Sequence, residues 1–352
     1  MKKWHVTASR ALFVAGMLVL SSPLSANQET CASANQELCA LRCGCGIEAS
    51  VEFLYLKPYV DDLDYVWKSK EGIVNFGTDT ADGKGRYNYV HLDWEPAYRG
   101  SLLMRDLWCG INMGASYTYL EASDSHSTSA EGTEALFPTI SHGGFDISNI
   151  NHARGKWGLT FQTGDILLSY DFCCEGGHRV TPAVGATIVV LDQDIKARYQ
   201  SDLTGDEALY NWKSGYTGYG LKAGADYNYK LTECFDLYAK AYCSLVTGDS
   251  DEDVKIARTL NTSGPTDLTD LKLKSHECLF VPGYQLAVGV LFHECWCGID
   301  VGMRLGWEFM AWHGVANPGR FTDDGIRIGT GSSRSTTTLG FQGLSAGLQA
   351  RF

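Results

Sequence analysis

The segment Leu344-Ser345-Ala346-Gly347-Leu348-Gln349-Ala350-Arg351-Phe352 decides the fold. Apolar residues occupy every second position, and small or polar residues stand between them. Since successive side chains of a β-strand point to opposite faces, this alternation predicts a strand with one apolar face and one polar face.

Three other segments repeat this pattern, at residues 109–119, 219–230 and 297–309. In the last of them, Asp300, Arg304 and Glu308 all fall between apolar residues such as Val301 and Leu305. Every charge therefore lies on one face of the strand. Weaker strand patterns lie near 47–57, 87–104, 156–172, 178–197, 235–248 and 275–292, which brings the predicted count to about ten, or twelve if two more lie within 122–155.

The beginning of the chain has the pattern of a secretory signal. Lys2, Lys3 and Arg10 accompany an apolar run from Ala11 to Leu20, and Ala26 ends a plausible cleavage zone. The run is too short for a membrane-spanning helix, which needs about 18 apolar residues or more. We therefore expect a signal peptide at 1–26, a cysteine-rich periplasmic segment at 27–46 and a barrel at 47–352.

The predicted connections alternate in length. Short turns lie at 105–106, 173–177, 232–234 and 293–295, whereas long loops lie near 58–86, 122–155, 198–214, 249–274 and 312–336. This alternation is typical of outer-membrane barrels, which have short periplasmic turns and long outer loops. The sequence predicts an all-β fold: a transmembrane antiparallel β-barrel in a Gram-negative type of outer membrane.

Alternation alone also fits a soluble β-sandwich or barrel with its apolar face turned inward. Three features favour the membrane barrel instead. The strands are longer than the average soluble strand of about 5–6 residues. The charged face is rich in glycine, and the apolar faces carry aromatic residues near their ends, such as Tyr117, Tyr119 and Trp307.

The polar faces of these strands supply the candidate site residues. We expect the lumen to be lined by charges of both signs: Lys222, Asp226, Lys230, Lys240, Asp300, Arg304 and Glu308. Mixed charged rings can tune the ion selectivity of a pore. In a barrel of about ten strands the same charges could instead pair with one another and fill a narrow interior.

The chain has twelve cysteines, and ten of them fall at the predicted periplasmic rim. The disulfide candidates are Cys31, Cys39, Cys43, Cys45, Cys109, Cys173, Cys174, Cys234, Cys295 and Cys297. The periplasm permits disulfides. We expect links between neighbouring molecules through the segment that carries Cys31 and Cys39, and bridges within one chain remain the alternative.

Other function classes find little support. The formal net charge of −12 argues against a nucleic-acid partner. The histidines are scattered and form no catalytic arrangement, so we expect no enzyme activity. Asp249, Asp251 and Asp253 resemble the start of a calcium loop, but Val254 and Leu260 stand where a glycine and a glutamate are needed. We expect neither a metal nor a cofactor.

Two motifs resemble a known family. The run Ala49-Ser50-Val51-Glu52-Phe53-Leu54-Tyr55-Leu56-Lys57-Pro58 is similar to the first strand of the chlamydial and Legionella-type major outer membrane proteins, with Leu56 in place of the usual Trp. The run Leu92-Asp93-Trp94-Glu95-Pro96-Ala97-Tyr98-Arg99-Gly100 is similar to a W-x-P-G-F-R segment of that family, with Ala97 where Gly is commoner.

The resemblance implies a pore-forming barrel, and the cysteine content is more similar to the chlamydial side of the family. The expected function is passive diffusion of ions and small solutes. The alternative is a structural, disulfide-linked envelope protein or adhesin with little conductance. The expected partners are outer-membrane lipid, small solutes, and neighbouring copies or other cysteine-rich envelope proteins.

Overall fold

The computed structural model describes residues 46–70, 85–108, 110–140, 147, 149–174, 176–261, 266–296, 299–322, 331–333 and 336–352. All of them belong to the unit Cys39–Phe352. The expected signal peptide and nearly all of the expected cysteine-rich segment lie outside the described residues, as do Cys31, Cys39, Cys43, Cys45, Cys109 and Cys297.

Strands make up almost all of the described structure. In chain order they are β1 (Gly46–Val60), β2 (Asp64–Ser69), β3 (Gly85–Tyr89), β4 (Glu95–Trp108), β5 (Ile111–Ser129), β6 (Ala135–Pro138), β7 (His152–Tyr170), β8 (Phe172–Cys174), β9 (His178–Gln200), β10 (Glu207–Lys230), β11 (Phe235–Leu260), β12 (Thr266–Trp296), β13 (Ile299–Ala316), β14 (Arg320–Thr322), β15 (Gly331–Ser333) and β16 (Thr336–Arg351). Among the described residues, no helix is long and apolar enough to cross a membrane.

Ten of these strands close into an antiparallel barrel, in the order β1, β4, β5, β7, β9, β10, β11, β12, β13 and β16. The decisive C-terminal segment forms β16, and it closes the barrel by pairing with β1 and β13, for example Leu348 with Val51 and Met303. The all-β, ten-stranded barrel predicted from the sequence is confirmed. We call the end with short connections the turn end and the opposite end the loop end.

Near the turn end, the wall of the barrel carries an apolar band on its outside. Leu221, Leu305 and Leu348 face outward with exposed fractions of 69%, 54% and 57%. Their neighbours in sequence, such as Lys222 at 9% exposure, face inward. Aromatic pairs lie at both edges of the band, among them Phe235–Phe292 and Tyr170–Phe172 at the turn end and Tyr55–Trp94 toward the loop end. This distribution is what a lipid-facing wall requires.

Toward the loop end the two faces exchange character. On the same strands the outward residues become charged, for example Lys156 on β7 and Lys196 on β9. Their neighbours in sequence, Trp157 and Ile195, are buried inside the barrel. The inside of this outer half is a hydrophobic core that includes Leu54, Leu56, Leu120, Trp157, Phe161, Leu191, Tyr210, Trp212, Trp312 and Phe341. The barrel therefore has a polar interior within the apolar band and an apolar interior beyond it.

The predicted long loops at 198–214 and 249–274 are wrong. Strand β9 continues to Gln200 and β10 begins at Glu207, while β11 and β12 pair as far as Leu260 and Thr266. The acidic run that suggested a loop is part of β11, where Asp249, Asp251 and Asp253 point outward into water. Charged residues are compatible with a strand here because this wall lies beyond the apolar band.

The predicted long connection 58–86 also contains strands. β2 pairs with β3 and β6 in a small sheet. This sheet packs against the inner face of the barrel near the loop end, where the hydroxyl of the inward-facing Tyr199 donates a hydrogen bond to the carbonyl oxygen of Tyr65 at 2.6 Å. The Tyr65 ring lies so close to Gly155 that a Cβ there would come within 2.6 Å of it. The contact therefore requires glycine at position 155.

The apolar band predicts a strong dependence on position for an added charge. Leu305→Arg places a charge in the middle of the band, so we expect it to lower the free energy of unfolding by about 2–4 kcal/mol in lipid vesicles. The measurement is denaturant unfolding of refolded protein. Thr217→Arg, on an outward residue just beyond the band, is the matched control and should change stability by less than about 1 kcal/mol. Equal losses in the two variants would contradict a lipid-facing band.

Candidate functional site in the barrel lumen

The lumen within the apolar band is crossed by a group of ion pairs centred on Arg99. This guanidinium donates to both carboxylate oxygens of Glu308, with the Nη1–Oε2 distance at 2.8 Å, and Nη1 also donates to Glu52 at 2.9 Å. Arg304 donates to the other Glu52 oxygen at 2.7 Å and to Gln349 at 2.7 Å. The carboxylates are deeply buried, with 1% exposure for Glu308 and 7% for Glu52.

A further ion pair, between Lys222 and Asp165, extends this network across the lumen. Lys222 donates to Asp165 at 2.8 Å and to the side-chain oxygen of Gln285 at 2.9 Å. Gln285 in turn donates to Glu308 at 2.8 Å. Gln285 thus joins the Lys222–Asp165 pair to the ion pairs around Arg99. We call the whole group the polar plug, and its members are Glu52, Arg99, Asp165, Lys222, Gln285, Arg304, Glu308 and Gln349.

The polar plug meets the hydrophobic core without a break. Arg99 contacts the sulfur of Met310 at 3.9 Å. Beyond it, the ring of Phe161 packs against Phe341 and Trp312, with centroid distances of 5.0 and 5.9 Å. A solute that entered the lumen from the turn end would therefore meet paired charges first and a close-packed apolar core next.

A polar cavity of about 200 Å³ lies on the turn-end side of the plug. Its walls carry cations and anions in similar number, including Arg105, Arg179 and Lys240 against Glu48, Asp171 and Asp226. Many of these are already paired: Arg105 binds Glu48 at 2.7 Å and Asp171 at 3.2 Å. The cavity can hold water and small ions, but it ends at the plug.

The residues that the sequence proposed for the lumen occupy different levels of it. Lys222, Arg304 and Glu308 belong to the polar plug, and Asp226 and Lys240 line the cavity, where Tyr242 donates to Asp226 at 2.9 Å. Lys230 and Asp300 lie nearer the turn end, where they pair in register with Asp236 and Arg351.

Sequence reasoning did not single out Arg99 and Glu52 as lumen residues, although they form the centre of the plug. Both lie in the motifs that carried the family resemblance. The alternation of apolar and polar residues could have placed Glu52 in the lumen. This residue stands between Val51 and Phe53, which face outward with exposed fractions of 64% and 45%.

Four of the disulfide candidates can be placed. The backbone of Cys173 and Cys174 pairs with Arg179 and His178 at the turn end. Cys234 and Cys295 are exposed at the same end, where the amide of His293 donates to the Cys234 carbonyl at 3.0 Å. Cys243 and Cys278, which the sequence placed away from the rim, lie on the outer face of β11 and β12. The other six candidates lie outside the described residues.

The acidic run of β11 is an extended strand, and one of its carboxylates contacts a histidine of the neighbouring strand. His276 on β12 lies 2.9 Å from Asp251, and this hydrogen bond, with the nearby charge of Asp249, raises the pKa of His276. Among the described residues, no group of three or more His, Cys, Asp or Glu side chains could hold a metal ion.

A family model described as the Legionella pneumophila major outer membrane protein precursor matches residues 46–352. The match covers the whole barrel and begins at the first residue of β1. The chain belongs to the Legionella major outer membrane protein family. It is therefore a barrel of a Gram-negative outer membrane, and its turn end is the periplasmic end.

Solved structures similar to this member of the family include outer-membrane barrels. The outer membrane protease OmpT from Escherichia coli shares 11% identity with a TM-score of 0.40, and the alignment covers 87% of this chain and 97% of that one. A FadL homologue from Pseudomonas aeruginosa shares 8% identity with a TM-score of 0.24, covering 88% and 90% of the two chains. No curated protein matches the chain.

The polar plug predicts that single and paired substitutions will differ. Arg99→Met leaves Glu308 and Glu52 buried beside one cation fewer, so we expect it to lower the free energy of unfolding by about 3–5 kcal/mol. Adding Glu308→Gln to Arg99→Met should recover part of that loss, because the second change removes a stranded charge. Denaturant unfolding in detergent measures both. A double variant as unstable as the sum of its single variants would show that the two side chains are not coupled.

Proposed function

We propose that this member of the family is a structural barrel of the outer membrane with little conductance. The observation that carries the proposal is the filled lumen, where the polar plug adjoins the hydrophobic core. Paired charges and close-packed rings follow one another along the described strands, and the cavity of about 200 Å³ lies on the periplasmic side of the plug.

The proposed role of the barrel is to hold an envelope network at its periplasmic rim. The exposure of Cys234 at that end supports this role, because a bridge needs Cα atoms within about 7 Å and an exposed rim cysteine can meet that of a neighbour. The partners in this proposal are further copies of the chain or other cysteine-rich envelope proteins, joined through the segment that carries Cys31 and Cys39.

A porin that passes ions and small solutes is the second candidate, and the periplasmic cavity favours it. Lys240 and Arg179 line this cavity beside Asp226 and Asp171, so its wall resembles the mixed charged lining of a diffusion pore. Conduction would require the polar plug and the core rings behind it to move apart. The two candidates therefore differ in whether the plug opens.

The first test is electrical. Purified protein inserted into a planar bilayer should give no current steps, with a general-diffusion porin as the positive control for the assay. Steps that belong to this chain would contradict the structural proposal. The reversal potential of these steps should then shift in the direction of greater cation selectivity in Arg304→Glu or Lys222→Glu, because each change replaces a lumen cation with an anion. Current steps whose reversal potential is unchanged in both variants would come from a contaminant.

The second test concerns the cysteines. On gels of thiol-blocked, unreduced envelopes the chain should run as large oligomers that collapse to a monomer when a thiol is added. Cys31→Ser with Cys39→Ser should reduce the ladder, because it removes two of the four thiols of the linking segment. Cys243→Ser with Cys278→Ser is the matched control, since both lie on the outer wall away from the rim, and it should leave the ladder intact. A monomer band without reductant would defeat the cross-linking role.

A further inference from the structure

A group of cations lies on the outer wall of the barrel, beyond the apolar band toward the loop end. Arg154 and Lys156 on β7 and Lys196 and Arg198 on β9 all face outward and are exposed. Their intervening neighbours face the core, as the complete burial of Trp157 and Ala197 shows. We call these four residues the cationic patch.

Within the patch, like charges stand directly opposite each other. The strand register pairs Arg154 with Arg198 and Lys156 with Lys196. Directly opposed like charges destabilise an antiparallel pair, in contrast to opposite charges in the same positions. An arrangement of two such pairs, one above the other on the same face, is compensated best by an anion that several of the side chains can reach together.

Among the described residues, carboxylates form ion pairs with the β9 side of the patch. On β9, Lys196 lies 3.4 Å from Asp194 and Arg198 lies 2.6 Å from Glu207. On β7, neither Arg154 nor Lys156 forms an ion pair within the part of the chain that the structure describes. Their side chains therefore keep their charge available for an external anion.

The strand beside β7 adds hydroxyl groups. Ser127 lies opposite Arg154 and Ser125 opposite Lys156, and Ser125 accepts a hydrogen bond from Arg154 at 3.2 Å. Each set of opposed residues therefore consists of a serine on β5, a cation on β7 and a cation on β9. Hydroxyl and cationic donors on a flat wall suit a phosphate attached to a sugar, which offers several acceptor oxygens.

The height of the patch indicates which anion it meets. The last apolar outward residue of β9 is Val190, and Lys196 lies six residues further along the strand. With a rise of about 3.3 Å per residue and a strand tilt near 40°, this places the patch roughly 15 Å beyond the edge of the apolar band. The sugars of the outer-leaflet glycolipid, rather than its acyl chains, lie beside the wall at that level.

We propose that the cationic patch binds phosphate groups on the saccharide portion of the glycolipid that forms the outer leaflet. The site is on the outer wall, and it is separate from the lumen and the periplasmic rim. Bound glycolipid would bridge β7 and β9 and relieve the repulsion between their opposed cations.

The test uses the full chain, refolded in zwitterionic detergent without lipid, and titrated with purified lipopolysaccharide whose inner-core sugars carry phosphate. We expect Lys156→Gln with Lys196→Gln to weaken binding by about tenfold, since two charge-assisted contacts are removed. Arg154→Gln with Arg198→Gln should act alike. Lys213→Gln with Lys255→Gln is the matched control, because these cations share the wall but lie beside Asp253, and it should change affinity less than about twofold.

Two comparisons and one competition identify the ligand. Dephosphorylated lipopolysaccharide should bind as weakly to the parent as the phosphorylated form binds to the patch variants. Micelles of an anionic phospholipid, whose phosphate lies at the band edge, should not distinguish patch variants from control variants. The proposal is overturned if the parent binds no lipopolysaccharide, if removal of phosphate changes nothing, if the control loses as much affinity as the patch variants, or if a sulfated polysaccharide competes at equal strength.

Discussion

The narrow interior of a closed ten-stranded sheet is the constraint on which the rest of this structure depends. Side chains from all ten strands point into that space, so they must fill it and satisfy one another. Within the membrane the wall has to be apolar outside, which leaves the polar members of each strand inside. Arg99 and Glu308 illustrate the result, because two charges from different strands meet in the centre with both guanidinium arms occupied.

Beyond the membrane the same constraint has the opposite solution. Water covers the outside of the wall there, so the strands can turn their apolar side chains inward and gain from burial. Trp157, Phe161 and Trp312 fill the outer half in the manner of a soluble barrel. The polar plug is thus enclosed by the core on one side and by lipid around the wall. Since a low dielectric strengthens its ion pairs, an opening of the plug would expose charges to apolar surroundings at considerable cost.

This exchange of faces explains which parts of the fold could be predicted from the sequence. Alternation predicted the ten strands and the inward position of Lys222, Arg304 and Glu308, because alternation is a local property. The outer extensions of β11 and β12 fall in the span 249–274 that was predicted to be a loop, although the two strands pair there. Alternation persists there, but the side that is polar has changed. The partners of each charge depend on barrel closure, which joins residues such as Arg99 and Glu308 that are distant in sequence.

The two zones also separate the surfaces on which function can lie. In the membrane zone the polar residues are enclosed, and the periplasmic cavity offers several of them to water. In the outer zone the polar residues are on the wall, where charges that form no ion pair among the described residues remain open to the envelope. Arg154 and Lys156 are exposed for this reason, although they share strand β7 with Asp165 of the plug. Strand β7 thus carries a buried, paired charge in the lumen and exposed charges on the outer wall. Their different roles follow from the side of the band edge on which each of them lies.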